Sequence, residues 1–154
     1  MKQLNVGDLA PEINAMDQDG NAIRLNDFKG SKLILFFYPK ANTPGCTAEA
    51  CSLRDHYTDL LSKGFKIIGV SADNAKSQKS FINKKELPFP LIPDTDKKVI
   101  EDYGVWGPKK FLGKSYEGII RTTFVISEEG KIEKIFTKVN TGEHAEQILN
   151  EYNL

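Results

Sequence analysis

Apolar and polar residues follow one another along this 154-residue chain in a pattern that predicts alternating strands and helices. Leu33–Tyr38 is apolar throughout, which is typical of a central strand covered on both faces. A second buried strand is predicted at Lys66–Ala72 and a short one at Leu91–Ile92. Ile119–Ser127 and Lys131–Thr137 are predicted to pair as a hairpin.

Helices are predicted in the intervening segments. Pro44 to about Lys63 is expected to be one long helix, which Gly64 ends in a C′ position. A lysine-rich helix is expected from Ala75 to about Glu86, and a short helix over Asp96–Tyr103. The last predicted helix is Glu143–Tyr152.

The order of these elements predicts the fold class. Residues 1–31 are expected to form a β-hairpin region, with turn signals at Asp17–Asn21 and Asn26–Gly30, and residues 104–118 a loop. Strands that alternate with helices predict an α/β protein with a central mixed sheet flanked by helices. With its N-terminal β-hairpin extension this is a thioredoxin-like layout. We expect one such domain over residues 1–154.

Charge and hydropathy narrow the function class. Lys plus Arg and Asp plus Glu both total 21, so no basic field favours nucleic acid. The N-terminus lacks the apolar core of a signal peptide. The longest apolar stretch is far below the roughly 20 residues of a membrane span. We therefore expect a cytoplasmic protein without a nucleic-acid or membrane partner, where paired cysteines are more often catalytic or metal-binding than structural.

The two cysteines of the chain, Cys46 and Cys51, closely follow the first buried strand. Thr43 is predicted to be a helix N-cap and Pro44 the first helical residue, which places Cys46 in the first turn. Free backbone N–H groups and the helix dipole favour an anion there, and a cysteine so placed commonly has a lowered pKa. The sequence therefore predicts thiol redox chemistry, with one cysteine as nucleophile and the other as its partner.

The spacing of the cysteines leaves several possibilities open. In an intact helix their Cα atoms would be roughly 8.6 Å apart by helix geometry, beyond the ~7 Å limit for a disulfide. Either the bond never forms, or the helix unwinds locally to form it; two inert, buried cysteines are the third possibility. The spacing matches neither a four-ligand zinc site nor the C-x-x-C of dithiol oxidoreductases.

A thiolate that attacks a peroxide needs hydrogen-bond donors for the charge developing on the leaving oxygen. The Thr43 hydroxyl and the backbone N–H groups of Gly45 and Cys46 are within reach of that position. Pro39 can shield the same site from water.

Two charged residues have both an ordinary and a functional interpretation. Arg121, in a predicted strand, is either an edge residue or a donor that holds the thiolate and polarises the incoming oxygen. Glu49, one turn after Cys46, is either solvated or the partner of Arg121 in a bidentate pair. We expect His56 and His144 to lie on the surface.

Together these residues resemble the peroxiredoxins, whose motif Pro-x-x-x-Thr-x-x-Cys is present as Pro39-Lys-Ala-Asn-Thr43-Pro-Gly-Cys46. The longer string from Phe37 to Cys51 is similar to the bacterioferritin comigratory protein (peroxiredoxin Q) subfamily. So are three further strings: Gly7-Asp-Leu-Ala-Pro11, Tyr103-Gly-Val-Trp-Gly107 and Arg121-Thr-Thr-Phe-Val-Ile126.

The resemblance implies a thioredoxin-dependent peroxidase that reduces hydrogen peroxide and organic hydroperoxides without metal, haem or flavin. It implies that Cys46 is the peroxidatic cysteine, that Cys51 resolves its sulfenic acid as an intramolecular disulfide, and that Thr43 and Arg121 bind the peroxide. Pro39 and Glu49 then have supporting roles. Without a third cysteine or a C-terminal extension, a monomer is expected, with a weak dimer through residues 104–118 as the alternative.

Two other functions use the same cysteines. A redox sensor would be oxidised by peroxide and change its affinity for a partner without steady-state turnover. A disulfide oxidoreductase would act on protein thiols, although the missing C-x-x-C argues against it.

Overall fold

The computed structural model describes residues 3–153. Residues 1, 2 and 154, which belong to the predicted hairpin region and the predicted single domain, lie outside the described residues. The strands are β1 (Asn14–Met16), β2 (Ala22–Arg24), β3 (Lys32–Phe37), β4 (Phe65–Ser71), β5 (Leu91–Pro93), β6 (Trp106–Phe111), β7 (Lys114–Ile119), β8 (Thr122–Ile126) and β9 (Ile132–Phe136). The α-helices are α1 (Pro44–Asp55), α2 (Tyr57–Ser62), α3 (Ala75–Lys85), α4 (Lys98–Asp102) and α5 (His144–Glu151).

A mixed five-stranded sheet in the order β5-β4-β3-β8-β9 forms the centre of the protein. Strands β3, β4 and β5 are parallel, whereas β8 is antiparallel to both β3 and β9. Strands β1 and β2 form a separate N-terminal hairpin. The predicted α/β class, with a central mixed sheet and an N-terminal hairpin extension, is confirmed.

Strand β3 is covered on both faces because its side chains alternate between two cores. Ile34 and Phe36 pack with residues of α1, α3 and α5, whereas Leu35 and Phe37 pack with α4 and the N-terminal hairpin. Packing on both faces therefore fixes β3, the strand that leads into the loop before Cys46.

Residues 104–118 differ from the prediction. They contribute to an antiparallel hairpin of β6 and β7 rather than a loop, with Trp106 paired to Ile119. Gly, Pro and Lys interrupt any apolar alternation in this segment, so the usual strand signal is absent. The predicted strand Ile119–Ser127 is also divided: Ile119 ends β7, β8 begins at Thr122, and Arg121 lies between them.

The long helix predicted from Pro44 to Lys63 is broken at His56, which separates α1 from α2. The Nδ1 atom of His56 lies 3.0 Å from the backbone oxygen of Ser52. That oxygen would accept the His56 N–H in a continuous α-helix. The side chain thus competes with the helical hydrogen bond, which accounts for the break.

Ser52 ties α1 to α5, because its buried hydroxyl accepts a hydrogen bond from the Ala145 N–H at 3.1 Å. We expect Ser52→Ala to lower the free energy of unfolding by about 1–3 kcal/mol, since the N–H loses its partner in a buried position. Urea denaturation measures this effect. Ser62→Ala, which removes an exposed hydroxyl, is the matched control with an expected change within about 0.5 kcal/mol. Equal effects of the two substitutions would contradict the assigned role.

No helix within residues 3–153 is long and apolar enough to cross a membrane.

Candidate active site

The loop between β3 and α1 sets the position of Cys46. Asn42 has a φ of 63°, a left-handed conformation that asparagine tolerates better than most residues. The preceding residue is fixed by a 2.8 Å hydrogen bond from the Ala41 N–H to the Asp73 carboxylate. After this turn α1 begins, and Cys46 is its third residue, with 1% of its surface exposed.

Thr43 occupies the N-cap position and Pro44 the first helical position, as predicted. The Thr43 side chain accepts no capping hydrogen bond from the helix, however, and its hydroxyl instead donates to the backbone oxygen of Lys40 at 2.7 Å. Its oxygen keeps its lone pairs to accept a hydrogen bond from a ligand. Pro39 directly follows Tyr38 and is partly exposed.

Strand pairing brings Arg121 to Cys46. Phe37 at the end of β3 pairs with Thr122 at the start of β8, so Arg121 lies beside the loop that leads to α1. Its Nη2 donates to Cys46 Sγ at 3.4 Å. A Cβ atom on residue 45 would lie 3.2 Å from this nitrogen, so Gly45 leaves the space that the guanidinium needs. A permanent cation therefore faces the buried sulfur.

Glu49 is fully buried, and its Oε1 accepts a hydrogen bond from Arg121 Nη1 at 2.6 Å. The solvated alternative for Glu49 is therefore wrong. The predicted pair with Arg121 forms, but through one oxygen rather than two, because the other amino group of Arg121 faces Cys46. Burial raises the pKa of Glu49 to about 7, although the charge and hydrogen bond of Arg121 act in the opposite direction. The guanidinium thus bridges a sulfur and a buried carboxyl group whose pKa is raised.

The predicted surface position of His144 is wrong. It is fully buried on α5, because it precedes Ile148 by four residues and so shares the helix face that packs against the core. This spacing is the sequence signal that could have found it. Burial lowers its pKa to about 4. His56, by contrast, is partly exposed and lies 3.2 Å from the carboxylate of Glu146.

The hairpin of β6 and β7 adds Lys109, which the sequence analysis missed. Its ammonium donates to the backbone oxygen of Ile119 at 2.8 Å. Burial lowers the pKa of Lys109, the charge of Arg121 lowers it further, and Cys46 acts in the opposite direction. Because the segment was expected to be a loop, nothing in the pattern connected this lysine with the site.

The structure brings Gly45, Cys46, Glu49 and Arg121 together, whereas Cys51 lies five residues further along α1. Both cysteines are free thiols, Cys46 buried and Cys51 partly exposed. Within residues 3–153 no group of three or more His, Cys, Asp and Glu residues is arranged to hold a metal ion. The arrangement can hold a thiolate and offer hydrogen-bond donors to an oxygen that approaches it.

Comparisons with known proteins agree on one family. The model of the AhpC/TSA family matches residues 6–135. Peroxiredoxin Bcp of Escherichia coli K12 is 44% identical over 150 residues, which cover 97% of this chain and 96% of that protein.

Two solved structures have the same fold. A cysteine-to-serine mutant of PrxQ from Xylella fastidiosa superposes with a TM-score of 0.91 at 29% identity, covering 99% of this chain and 98% of that one. The bacterioferritin comigratory protein of Xanthomonas campestris is described for its alkyl peroxide reduction activity. It superposes with a TM-score of 0.84 at 33% identity, covering 92% of this chain and 90% of that one. This chain therefore belongs to the AhpC/TSA family and, within it, to the Bcp/PrxQ peroxiredoxins.

Proposed function

We propose that this peroxiredoxin, a thiol-dependent peroxidase, reduces hydrogen peroxide and organic hydroperoxides with Cys46 as the attacking residue. The observation that carries the assignment is the 3.4 Å contact between Arg121 Nη2 and Cys46 Sγ. A guanidinium cannot deprotonate under these conditions, so its positive charge stays beside the sulfur. Cys46 also lies in the first turn of α1, next to the helix N-terminus, whereas Cys51 lies five residues further along the helix.

In the first step the Cys46 thiolate attacks one oxygen of the peroxide. An S–O bond forms, the O–O bond breaks, and the departing oxygen takes a proton to leave as water or an alcohol. Cys46 is oxidised by two electrons to a sulfenic acid. Arg121 and the Gly45 N–H are proposed to stabilise the charge on the leaving oxygen. The Thr43 hydroxyl, whose hydrogen is donated to the Lys40 backbone oxygen, is proposed to orient the peroxide by accepting a hydrogen bond from it. Pro39 is proposed to limit access of water.

In the second step Cys51 attacks the sulfenic sulfur of Cys46. A disulfide forms, and the sulfenic oxygen leaves as water. Both residues lie in the continuous helix α1, whose geometry keeps their Cα atoms beyond disulfide distance. We therefore propose that α1 opens locally before the bond forms.

The disulfide requires an external dithiol, and we propose thioredoxin or a similar protein. Exchange with a dithiol returns both cysteines to thiols and oxidises the reductant. An intramolecular bond needs no second subunit, so we propose a monomer. We also propose a cytoplasmic location, where thiols are kept reduced.

Coupled turnover tests this function. Purified protein is mixed with hydrogen peroxide, NADPH, thioredoxin reductase and thioredoxin, and NADPH oxidation is followed. We expect sustained turnover that stops when thioredoxin is omitted. A single stoichiometric oxidation of the protein would favour a redox sensor or another reductant. Faster reaction with protein thiols than with peroxide would favour a disulfide oxidoreductase.

A further inference from the structure

The peptide unit between Lys40 and Ala41 holds both of its polar groups in hydrogen bonds. Its N–H, on Ala41, donates to Asp73 Oδ2 at 2.8 Å. Its oxygen, on Lys40, accepts the hydrogen of the Thr43 hydroxyl at 2.7 Å. Because a peptide unit is planar, its N–H and C=O groups turn together. The bond that directs the N–H to Asp73 therefore also directs the oxygen to Thr43.

Asp73 is itself held in place from the core of the protein, although it is partly exposed. The Ser71 hydroxyl, at the end of β4, donates to Asp73 Oδ2 at 2.6 Å. Ser71 in turn accepts a hydrogen bond from Gln78 Nε2 of α3 at 2.7 Å, and both of these residues are fully buried. Gln78 Nε2 also donates to the backbone oxygen of Ile92, and Gln78 Oε1 accepts the hydroxyl of Tyr38. One network therefore holds both ends of the segment from Tyr38 to residue 41.

The contacts of Gln78 determine the direction of each hydrogen bond in this network. The amide cannot be reversed, because its oxygen would then face the carbonyl oxygen of Ile92. Ser71 therefore accepts from Gln78, and its own hydrogen is left to donate to the Asp73 carboxylate. The Asp73 oxygen is thus fixed in the position where it accepts the Ala41 N–H.

The state of the Thr43 hydroxyl depends on this arrangement. The bond to Lys40 uses the hydroxyl hydrogen, and the helix donates no capping hydrogen bond to the oxygen, so the oxygen can accept from a ligand. A hydroperoxide carries an O–H group, which requires such an acceptor. If the peptide unit turned, the hydroxyl would lose its partner and could direct its hydrogen toward the ligand instead.

We propose that Asp73 is a positioning residue for peroxide reduction, acting through the peptide unit between Lys40 and Ala41 to keep the Thr43 oxygen an acceptor. The inference rests on the proposed function, in which Thr43 accepts a hydrogen bond from the peroxide. Two hydrogen bonds and one peptide unit lie between Asp73 and the Thr43 oxygen. The effect of Asp73 on the reaction therefore requires the Thr43 hydroxyl.

A double-mutant cycle tests this dependence. In a Cys51→Ser background, stopped-flow mixing with hydrogen peroxide gives the rate of the first oxidation alone. We expect Thr43→Val to slow it by about tenfold, because valine keeps the shape but removes the acceptor. Asp73→Ala should slow it by up to about tenfold, and the double variant should be no slower than Thr43→Val. Asp27→Ala, at an exposed aspartate, is the matched control and should leave the rate unchanged.

Asp73→Asn separates the hydrogen bond from the charge. The amide oxygen can accept the Ala41 N–H as the carboxylate does, so this variant should react as fast as the protein with Asp73. Equal losses from Asp73→Ala with Thr43 and with valine at position 43 would show a packing role only and overturn the proposal. It would also be overturned if Asp73→Asn were as slow as Asp73→Ala, or if Asp73→Ala or Thr43→Val left the rate unchanged.

Nuclear magnetic resonance without peroxide covers the case in which Asp73→Ala does not fold. In the unmodified protein, a coupling across the hydrogen bond should link the Ala41 nitrogen to the Asp73 carboxylate carbon. Three-bond couplings of the Thr43 methyl carbon should report one χ1 rotamer. The absence of either signal would overturn the proposal.

The same couplings separate the positioning role from the proposed function. In folded Asp73→Ala the Thr43 couplings should average over rotamers, whereas Asp73→Asn should preserve them; unchanged couplings in Asp73→Ala would contradict the proposal. If the couplings behave as expected but peroxide does not oxidise Cys46, the proposed function alone is refuted.

Discussion

Cys46→Ser is expected to lower peroxide consumption by roughly a thousandfold or more, in line with the loss of other catalytic nucleophiles. A serine hydroxyl has almost the same size but stays protonated at neutral pH, so the anion that Arg121 faces disappears. Consumption is measured by mixing excess hydrogen peroxide with the reduced protein and the thioredoxin system. Retained activity would show that Cys46 is not the nucleophile.

Cys51→Ser is the matched control, because it makes the same atomic change five residues away in the same helix. We expect the first oxidation to proceed at nearly the rate of the unmodified protein and to stop at the sulfenic acid of Cys46. Mass spectrometry distinguishes this product from an internal disulfide. If Cys51→Ser abolished the first oxidation and Cys46→Ser did not, the two roles would have to be exchanged.

Circular dichroism of the same variants tests the opening of α1. Peroxide should reduce the helical signal of the unmodified protein, in which the disulfide forms, but not that of Cys51→Ser. An oxidised protein with a Cys46–Cys51 bond and an undiminished helical signal would contradict local unwinding.

The elements that surround Cys46 were predictable because short-range signals determine them. An uninterrupted apolar run predicted β3, and Thr43 followed by Pro44 predicted the start of α1. These local signals were sufficient to place Cys46 in the first turn of a helix behind a central strand.

The rest of the site depends on contacts between distant segments. Arg121 reaches Cys46 because Phe37 pairs with Thr122, a register that no local pattern specifies. His144 was assigned to the surface because histidine alone gives no burial signal, although its spacing from Ile148 follows the buried face of α5. The hairpin that carries Lys109 was missed because its strands show no apolar alternation.

Arg121→Met is expected to reduce the rate of the first oxidation by about 10²–10³-fold, the effect of removing a donor that stabilises developing charge. Methionine keeps much of the side-chain volume but removes both contacts of the guanidinium, one to Cys46 Sγ and one to Glu49 Oε1. Arg24→Met, at an exposed arginine on β2, is the matched control and should leave the rate unchanged. Stopped-flow mixing of reduced protein with peroxide measures the oxidation directly.

Arg121→Lys separates charge from geometry. Arg121 uses two nitrogens to contact a sulfur and a carboxyl oxygen at once, whereas lysine presents a single nitrogen at the end of a flexible chain. A lysine variant as slow as Arg121→Met would therefore show that the fork of the guanidinium matters more than its charge. A lysine variant as fast as the unmodified protein would show that one cation near the sulfur is sufficient. In that case the hydrogen bond between Arg121 and Glu49 would serve only to compensate a buried carboxyl group. Comparison of Arg121→Lys with Arg121→Met therefore decides whether Cys46, Arg121 and Glu49 act on the peroxide as a unit.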